Sequence, residues 1–254
     1  MTIVVFLLIN CSQSNTEKCF KISGDRCNYY TEDDKFTLSV RWQSGLCASD
    51  NKIETAVRED LMKECQALKN NKWVANGFTL HGLWPGSKRC NANDCDMITK
   101  SSFCFYNPLQ LNDQISAKLK EVMPSYKYNS CLERHEWYKH GTCSLLDVNE
   151  YFDLSYDLIT QFNNSEFTNL IISRKGKTIS LKEIQDKFQE SFPVNDINHV
   201  KFMCDNNNNL VEIFIDLPAT IKKGDTLIDL IARLNDKGCG KSTCDGRKII
   251  NILS

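Results

Sequence analysis

The sequence lacks any excess of charge. Lys and Arg number 31 and Asp and Glu 32, so the formal net charge is −1 over 254 residues. A protein that covers long stretches of nucleic acid carries a basic surface, which this composition does not provide. With 41% hydrophobic and 25% charged residues the chain is typical of a globular protein. An anionic substrate would therefore be bound by a local cluster of cations.

A long hydrophobic run is also missing from the N-terminus. The apolar run from Ile3 to Ile9 is too short to cross a bilayer, whose core needs about 20 apolar residues. Followed by Ser12-Gln13-Ser14, it predicts a secretory signal peptide over residues 1–14, although the basic residues that usually precede such a run are absent. We expect a secreted or lumenal protein (extracellular, lysosomal, vacuolar or periplasmic) with no membrane attachment after signal removal.

No C-x-x-C pair occurs among the thirteen cysteines. Looser spacings such as Cys90/Cys95 and Cys239/Cys244 do not suit a structural zinc site. Cys11 would leave with the signal peptide, so twelve of the thirteen cysteines remain, an even number. In a chain with a secretory start this density predicts disulfides formed in an oxidising compartment.

No internal repeat and no Pro/Gly-rich linker divides the chain, so we predict a single domain over residues 17–254. Period-two patterning and β-forming residues predict strands at 36–42, 73–80, 210–217 and 248–253. Helical spacing predicts helices at 54–69, 109–123, 149–162 and 180–190. The last helix carries a capping box of Ser180 and Glu183, and residues 226–234 fit either state. These elements indicate an α+β fold with an antiparallel-type central sheet, packed helices and disulfide stabilisation.

One short segment, HEWYKHGTC, concentrates polar side chains suited to acid–base work. If it is helical, Glu136, Lys139 and His140 lie on one face, and His135 pairs with Lys139 beside them. Gly141 is placed to cap the C-terminal end of this helix.

A second segment, GFTLHGLWP, carries a third histidine. We predict that His81 lies where the strand at 73–80 ends, because Gly82 and Pro85 break the strand pattern. Trp84, three residues later, offers a flat face on which a nucleic-acid base can stack.

These residue types suggest cleavage of a phosphodiester. One histidine can accept a proton while the other donates one, because imidazole titrates near pH 6.5. Lys139 can offset negative charge in the transition state, and Glu136 can orient a histidine. RNA supplies its own nucleophile, the 2′-hydroxyl, so the reaction requires no metal and no cofactor. The chain also lacks the dense acidic cluster that holds two metal ions.

A structural explanation exists for many of the same residue types. A lone histidine is more often structural than catalytic, and we interpret His199 in that way. Trp42, Trp73, Trp137 and Tyr138 are most simply packing aromatics. That explanation fits single residues better than two clustered segments.

The two segments resemble the active-site segments of the ribonuclease T2 family of acid ribonucleases, in the same order along the chain. FTLSVRW, MPSY and NLVEIFID resemble further stretches of that family. The resemblance implies that His81 and His140 are the acid and the base and that Glu136 and Lys139 stabilise the transition state. It implies a phosphate-binding role for His135 and base stacking for Trp84. RNA would be cleaved through a 2′,3′-cyclic phosphate to a 3′-phosphate.

The resemblance also implies disulfides Cys90–Cys143 and Cys47–Cys65, with Cys204 bonded to Cys239 or, our preferred pairing, Cys244. Some positions depart from the family pattern. Gly86 replaces an acidic base contact, so base preference stays open. Arg41 replaces a glutamine; it could add a phosphate contact or, as we expect, lie at the surface. Ile215 replaces a cysteine.

We therefore expect a monomeric, metal-independent endoribonuclease acting on single-stranded RNA with little base specificity, and no stable complex with DNA. Asn163 lies in a sequon, so a glycan is expected there if the source cell adds one. Two other classes fit less well: a secreted signalling or toxin-like protein using the same fold for binding, and a metal-dependent phosphoesterase. The intact histidine pair argues against the first, and activity in EDTA would exclude the second.

Overall fold

The computed structural model of the protein describes residues 35–49, 55–70, 77–86, 102–144, 146–238 and 240–254. The expected signal peptide over 1–14, the start of the expected strand at 73–80 and Cys90 of the expected Cys90–Cys143 bond lie outside these ranges.

A four-stranded antiparallel sheet forms the centre of the molecule, in the order β2-β1-β5-β4. Its strands are β1 (Phe36–Arg41), β2 (Thr79–Pro85), β4 (Val200–Cys204) and β5 (Leu210–Leu217). A second antiparallel pair joins β3 (Lys177–Ser180) to β6 (Ile249–Ile252). The predicted α+β fold with an antiparallel sheet is confirmed.

Helices surround this sheet. They are α1 (Gln43–Ala48), α2 (Thr55–Lys69), α3 (Asp113–Val122), α4 (Pro124–Lys127), α5 (Leu132–Lys139), α6 (Val148–Asn163), α7 (Glu166–Ser173), α8 (Leu181–Ser191) and α9 (Leu227–Ala232). The segment that fitted either state is helical, because Thr226 accepts a hydrogen bond from the amide of Asp229 and so caps α9.

Side chains at the helix starts satisfy amides that the helices leave unpaired. Asp147 and Glu150 form a complete capping box at α6. At α8 only half of the predicted box is present. Ser180 accepts from the amide of Glu183, but the Glu183 carboxylate pairs with Arg174 at 2.6 Å instead.

The core lies between one face of the sheet and helices α6 to α8. Alternation along β1 and β5 buries Leu38, Val40, Ile213 and Ile215 against this core, each at most 1% exposed. Rings from the helices complete it, including Phe152, Phe162, Phe167 and Phe188. A buried side chain of this size stabilises the fold by about 1.5–3 kcal/mol. This packing makes the strands a firm base for side chains on the opposite face.

Disulfides join elements that are far apart in sequence. Cys47–Cys65 links α1 to α2, and Cys204–Cys244 links the end of β4 to the chain before β6, both as expected above. Cys104–Cys131, which the sequence did not pair, ties a 3₁₀ turn (Phe103–Phe105) to the start of α5.

Asn163 has a structural role at the end of α6. Its side-chain oxygen accepts from the amide of Phe78 at 2.9 Å, and its side-chain nitrogen donates to the carbonyl of Phe78 at 2.9 Å. The expected glycan would have to be accommodated at this bridge and stays a prediction. Within the described ranges, no helix has the length and apolar character needed to span a bilayer.

His199 is a structural histidine, as the sequence suggested. It is fully buried, its Nδ1 lies 3.2 Å from the Asp216 carboxylate and its Nε2 lies 3.0 Å from the carbonyl oxygen of Asp236. Burial alone would lower its pKa, but these two acceptors outweigh burial and the nearby Lys35 and raise the pKa of His199 above its ordinary value.

We therefore predict that His199→Gln destabilises the protein more in acid than in alkali. The contribution of a group whose folded pKa is raised is fully present below its unfolded pKa, near 6.5, and is lost as the pH rises through the folded value. The loss at pH 5 should be about 1–3 kcal/mol, the cost of disrupting a buried hydrogen-bond pair. Urea unfolding at pH 5 and pH 9 measures it.

Asp216→Asn is the control, because it removes the carboxylate that raises the pKa of His199 and should flatten the pH dependence. A wild-type advantage over His199→Gln that stays constant or grows toward high pH would contradict this explanation.

Candidate active site

Helix α5 brings the residues of the first motif to the polar face of the sheet. It begins after Cys131, whose φ of 62° lies in the left-handed region, and ends at His140. The predicted cap at Gly141 is wrong: this glycine directly follows the capping residue, His140, but its φ is not positive as a glycine cap requires, and it opens a 3₁₀ turn. Glycine is required at 141 for another reason: a Cβ there would overlap the ring of Trp137.

His81 lies within β2 and not at a strand end, so that prediction is wrong. Ser39 of β1 pairs with Gly82 and Val40 pairs with Leu80, which leaves His81 as the extra residue of a β-bulge. In a regular strand, side chains three residues apart point to opposite faces. The bulge brings the rings of His81 and Trp84 to one side, with centroids 5.0 Å apart.

The carboxylate of Glu136 connects the two motifs. Its Oε1 lies 3.3 Å from Nε2 of His81, and its Oε2 accepts a 2.6 Å hydrogen bond from the indole Nε1 of Trp84. Glu136 is 1% exposed, so these contacts replace its hydration. A Cβ on Gly82 would overlap Oε2 of Glu136, which explains the glycine in this strand.

Trp84 lies between the two histidines. Its ring is nearly parallel to that of His140, with centroids 5.2 Å apart and planes inclined by 28°. Its ring also meets Phe214 of β5 at 5.4 Å. Trp84 thus orients His140 and Glu136, and its stacking on a base stays a prediction.

His135 occupies a more apolar position than the other two histidines of the site. Its ring packs against Phe103 at 4.4 Å and Tyr106 at 5.8 Å, and its Nε2 lies 3.2 Å from Nζ of Lys139. Among the described residues its buried Nδ1 has no hydrogen-bond partner. Burial lowers the pKa of His135 to about 3, so this imidazole is neutral and accepts a hydrogen bond from Lys139.

The charges around the site shift the pKa values of His81 and Glu136 in opposite directions. Burial and Arg41 oppose charge on His81, but Glu212 and Glu136 outweigh them and raise the pKa of His81. Burial would raise the pKa of Glu136, yet His81 and the two histidines of the motif hold it well below its usual range. An ionised carboxylate beside a readily protonated imidazole is an arrangement suited to proton transfer.

Three ligand-type atoms of His135, Glu136 and His140 come within 4.8 Å of one another. This spacing would allow a divalent cation to approach. Glu136, however, already accepts from Trp84 and contacts His81. The arrangement thus serves acid–base work, and we assign no metal to it.

Three residues at the site were not recognised from the sequence. Arg41, expected at the surface, has a side chain only 16% exposed, and its Nη2 lies 2.8 Å from Nε2 of His81. Ser39 and Glu212 contact Nδ1 of the same ring. The alternation of side chains along β1 and β5 places these three residues on the face opposite the core. They become neighbours only through the register of β1 on β5, and the sequence around each residue does not reveal that register.

Comparisons with known proteins place the chain in a family. The model of the Ribonuclease T2 family matches residues 33–237. The chain is 30% identical over 210 residues to ribonuclease I of Escherichia coli (strain K12), which covers 75% of this chain and 77% of that protein.

Two solved structures are similar to the fold. The self-incompatibility-associated SF11 ribonuclease of Nicotiana alata has a TM-score of 0.57 at 16% identity, covering 87% of this chain and 100% of that chain. A variant of ribonuclease MC1 from bitter gourd, solved with 5′-GMP, has a TM-score of 0.52 at 20% identity, covering 86% and 99%. At these identities the likeness concerns the fold alone.

We predict that Gly82→Ala preserves the fold but abolishes most catalysis. The new methyl group overlaps the end of the Glu136 side chain, not backbone, so the carboxylate must move away from His81. A displacement of about 1 Å in such a site can cost 100-fold in rate. RNA-cleavage kinetics and the unfolding temperature measure the two effects.

Gly246→Ala is the matched control, because its Cβ would only touch a leucine methyl of Leu181 at 3.4 Å, an ordinary contact. This variant should keep both stability and catalysis. Full activity of Gly82→Ala would show that the position of Glu136 does not matter.

Proposed function

Because the chain belongs to the Ribonuclease T2 family and is an endoribonuclease, we propose that it cleaves single-stranded RNA by transphosphorylation, with His81 as acid and His140 as base. The observation that supports this assignment is the juxtaposition of both imidazoles around one buried carboxylate and one indole. Trp84 contacts both rings, and Glu136 contacts Trp84 and His81.

In the first step, neutral His140 accepts the proton of the 2′-hydroxyl. The 2′-oxygen attacks phosphorus, the bond from phosphorus to the 5′-oxygen breaks, and protonated His81 donates its proton to that oxygen. The products are a 2′,3′-cyclic phosphate and a free 5′-hydroxyl.

In the second step the roles reverse. His81, now neutral, accepts a proton from water, and the resulting hydroxide attacks phosphorus. The bond to the 2′-oxygen breaks, and His140 returns its proton to that oxygen. The product carries a 3′-phosphate, and both histidines regain their starting states.

The remaining side chains act on charge and position. Lys139 offsets the extra negative charge on the phosphoryl oxygens in the transition state. Glu136 stabilises the protonated form of His81, whose pKa it raises. His135, a neutral imidazole, accepts a hydrogen bond from Lys139 and so orients its ammonium toward the phosphate. Trp84 supplies an aromatic surface for a base.

The pH optimum follows from the two imidazole states. His81 must be protonated and His140 neutral in the first step, so activity falls when the pH rises beyond the raised pKa of His81. Glu136 remains ionised well into acid because its pKa is lowered. We propose a mildly acidic optimum.

The substrate range and location are part of the proposal. Ribonuclease MC1 of bitter gourd has been solved with a mononucleotide, which supports a nucleotide-binding site in this fold. DNA lacks the 2′-hydroxyl and should not be cut. Gly86 has a φ of 48° and turns the chain after β2, so no acidic side chain contacts a base from this position, and we propose little base preference. We propose a secreted or lumenal monomer whose signal peptide covers residues 1–14.

We predict that His81→Ala and His140→Ala each lose about 10²- to 10⁴-fold in the rate of RNA cleavage, the range attributed to general acid–base groups. The wild-type protein should remain active in EDTA at pH 4 to 8, leave DNA intact, and yield cyclic and then 3′-phosphate ends. Mass spectrometry of the fragments identifies these ends.

His199→Gln serves as the histidine control at 25 °C, because His199 lies away from the site and acts on stability. The proposal fails if RNA cleavage survives both alanine substitutions or if DNA is cut equally well. Loss of activity in EDTA would favour the metal-dependent alternative.

A further inference from the structure

Three side chains from the two neighbouring strands contact the ring of His81. They are Ser39 and Arg41 of β1 and Glu212 of β5, and one oxygen of Glu212 connects them. This Oε1 accepts from Oγ of Ser39 at 2.7 Å and lies 3.4 Å from Nε of Arg41. It also contacts Nδ1 of His81.

The two ring nitrogens of His81 therefore face different partners. Nδ1 faces Glu212 and lies 3.1 Å from Ser39, while Nε2 faces Glu136 and Arg41. An ionised carboxylate only accepts hydrogen bonds, so Nδ1 must carry a proton to satisfy Glu212. The hydrogen bond at one nitrogen fixes which nitrogen is free to exchange a proton.

We propose that Glu212 is the positioning residue of His81: it holds the Nδ1 proton so that Nε2 alone exchanges a proton with the leaving oxygen. This inference rests on the proposed function, in which His81 is the acid. Ser39 fixes the carboxylate by donating to the oxygen that receives Nδ1–H. Glu212 itself touches the acid and not the substrate.

Arg41 acts in the opposite sense. Its Nη2 lies 2.8 Å from Nε2 of His81, and a guanidinium can only donate. In this arrangement Nε2 accepts, so His81 is neutral there, and protonation of Nε2 requires Arg41 to move away. The same guanidinium contacts Glu212, which gives it an alternative partner. Glu212 and Arg41 thus favour opposite protonation states of one imidazole.

Other charged groups around His81 must be counted with these two. Glu136 from α5 favours its protonated form, and Arg41 opposes it. Buried Glu64 of α2 and His135 of α5 also feel its charge. Glu136 would remain in place when Glu212 is changed, so the pH response of such a variant isolates the contribution of β5.

The experiment compares pH profiles of kcat/KM on RNA for the wild type, Glu212→Gln and Arg41→Gln. At position 212 glutamine keeps the shape and an accepting oxygen of glutamate but removes its charge; at position 41 it removes the guanidinium and its charge. We expect Glu212→Gln to move the alkaline limb to lower pH by about one unit, since an opposite charge in contact shifts an ionisation by one to three units. Arg41→Gln should move the same limb to higher pH.

Asp216→Asn is the matched control, because Asp216 lies on the same strand and contacts the structural His199. It should lower stability without moving either limb of the profile. Ser39→Ala should reduce kcat a few-fold with KM nearly unchanged, since it loosens the carboxylate and leaves substrate contacts alone.

Nitrogen NMR of the His81 ring gives a second readout that does not depend on catalysis. The wild type and Glu212→Gln should show a proton on Nδ1, and Glu212→Ala should show exchange between the two tautomers. A profile of Glu212→Gln that overlays the wild type, or an equal shift in Asp216→Asn, would overturn the inference. If His81→Ala also remained active, the proposed function itself would fail, so the two failures are distinguishable.

Discussion

The buried carboxylate of Glu136 is the constraint on which the rest of the site depends. A charge that is 1% exposed is tolerated only when donors replace its water. Here the Trp84 indole donates to it, and His81 does so when its Nε2 carries a proton. Both come from one strand, three residues apart, and reach the same carboxylate only because a bulge turns them to one side. The intervening Gly82 has no Cβ because the carboxylate occupies that space. In the segment HGLW, His81 and Trp84 thus contact one buried carboxylate, and Gly82 leaves room for it.

The sheet holds the contacts of Glu136 in place because one of its faces is apolar and buried in the core, while the other carries the polar residues of the site. One face packs Leu38, Val40 and the facing residues of β5 into an apolar core, which fixes the strands. On the other face, polar residues of β1 and β5 contact His81 of β2. The Cys104–Cys131 bond anchors the start of helix α5, so the proposed acid lies on a strand and the proposed base at the end of a helix held against it. Chemistry placed on such rigid elements keeps its geometry without a lid or loop.

The sequence predicts those parts of the structure that are encoded locally. Alternation predicted β1 and β5, and the spacing of Glu136, Lys139 and His140 predicted one polar face of α5 on the condition that the segment is helical. The sequence could not predict contacts that depend on the register between strands. Arg41 was expected at the surface because nothing near it in sequence signals its partner Glu212, which lies 171 residues away. The bulge at His81 was likewise hidden, since one extra residue in a strand shows only against the neighbouring strand. Cys104 and Cys131 could not be paired because cysteine spacing does not determine connectivity.

The charges of the site show how a chain with a net charge near zero can still bind an anionic substrate. Two cations of the site have close polar partners: Arg41 contacts the carboxylate of Glu212, and Lys139 contacts the neutral imidazole of His135. The carboxylates of Glu136 and Glu212 both have lowered pKa values, held down against burial by His81, so mild acid leaves them ionised. His81, whose pKa is raised, takes up a proton in mild acid. In the proposed mechanism, acidification therefore adds positive charge where the leaving oxygen is protonated, and it leaves Glu136 and Glu212 ionised. A protein with almost no net charge can in this way become locally cationic at acidic pH. The separation between the raised pKa of the imidazole and the lowered pKa values of the carboxylates, more than the net charge, suits the site to an anionic substrate.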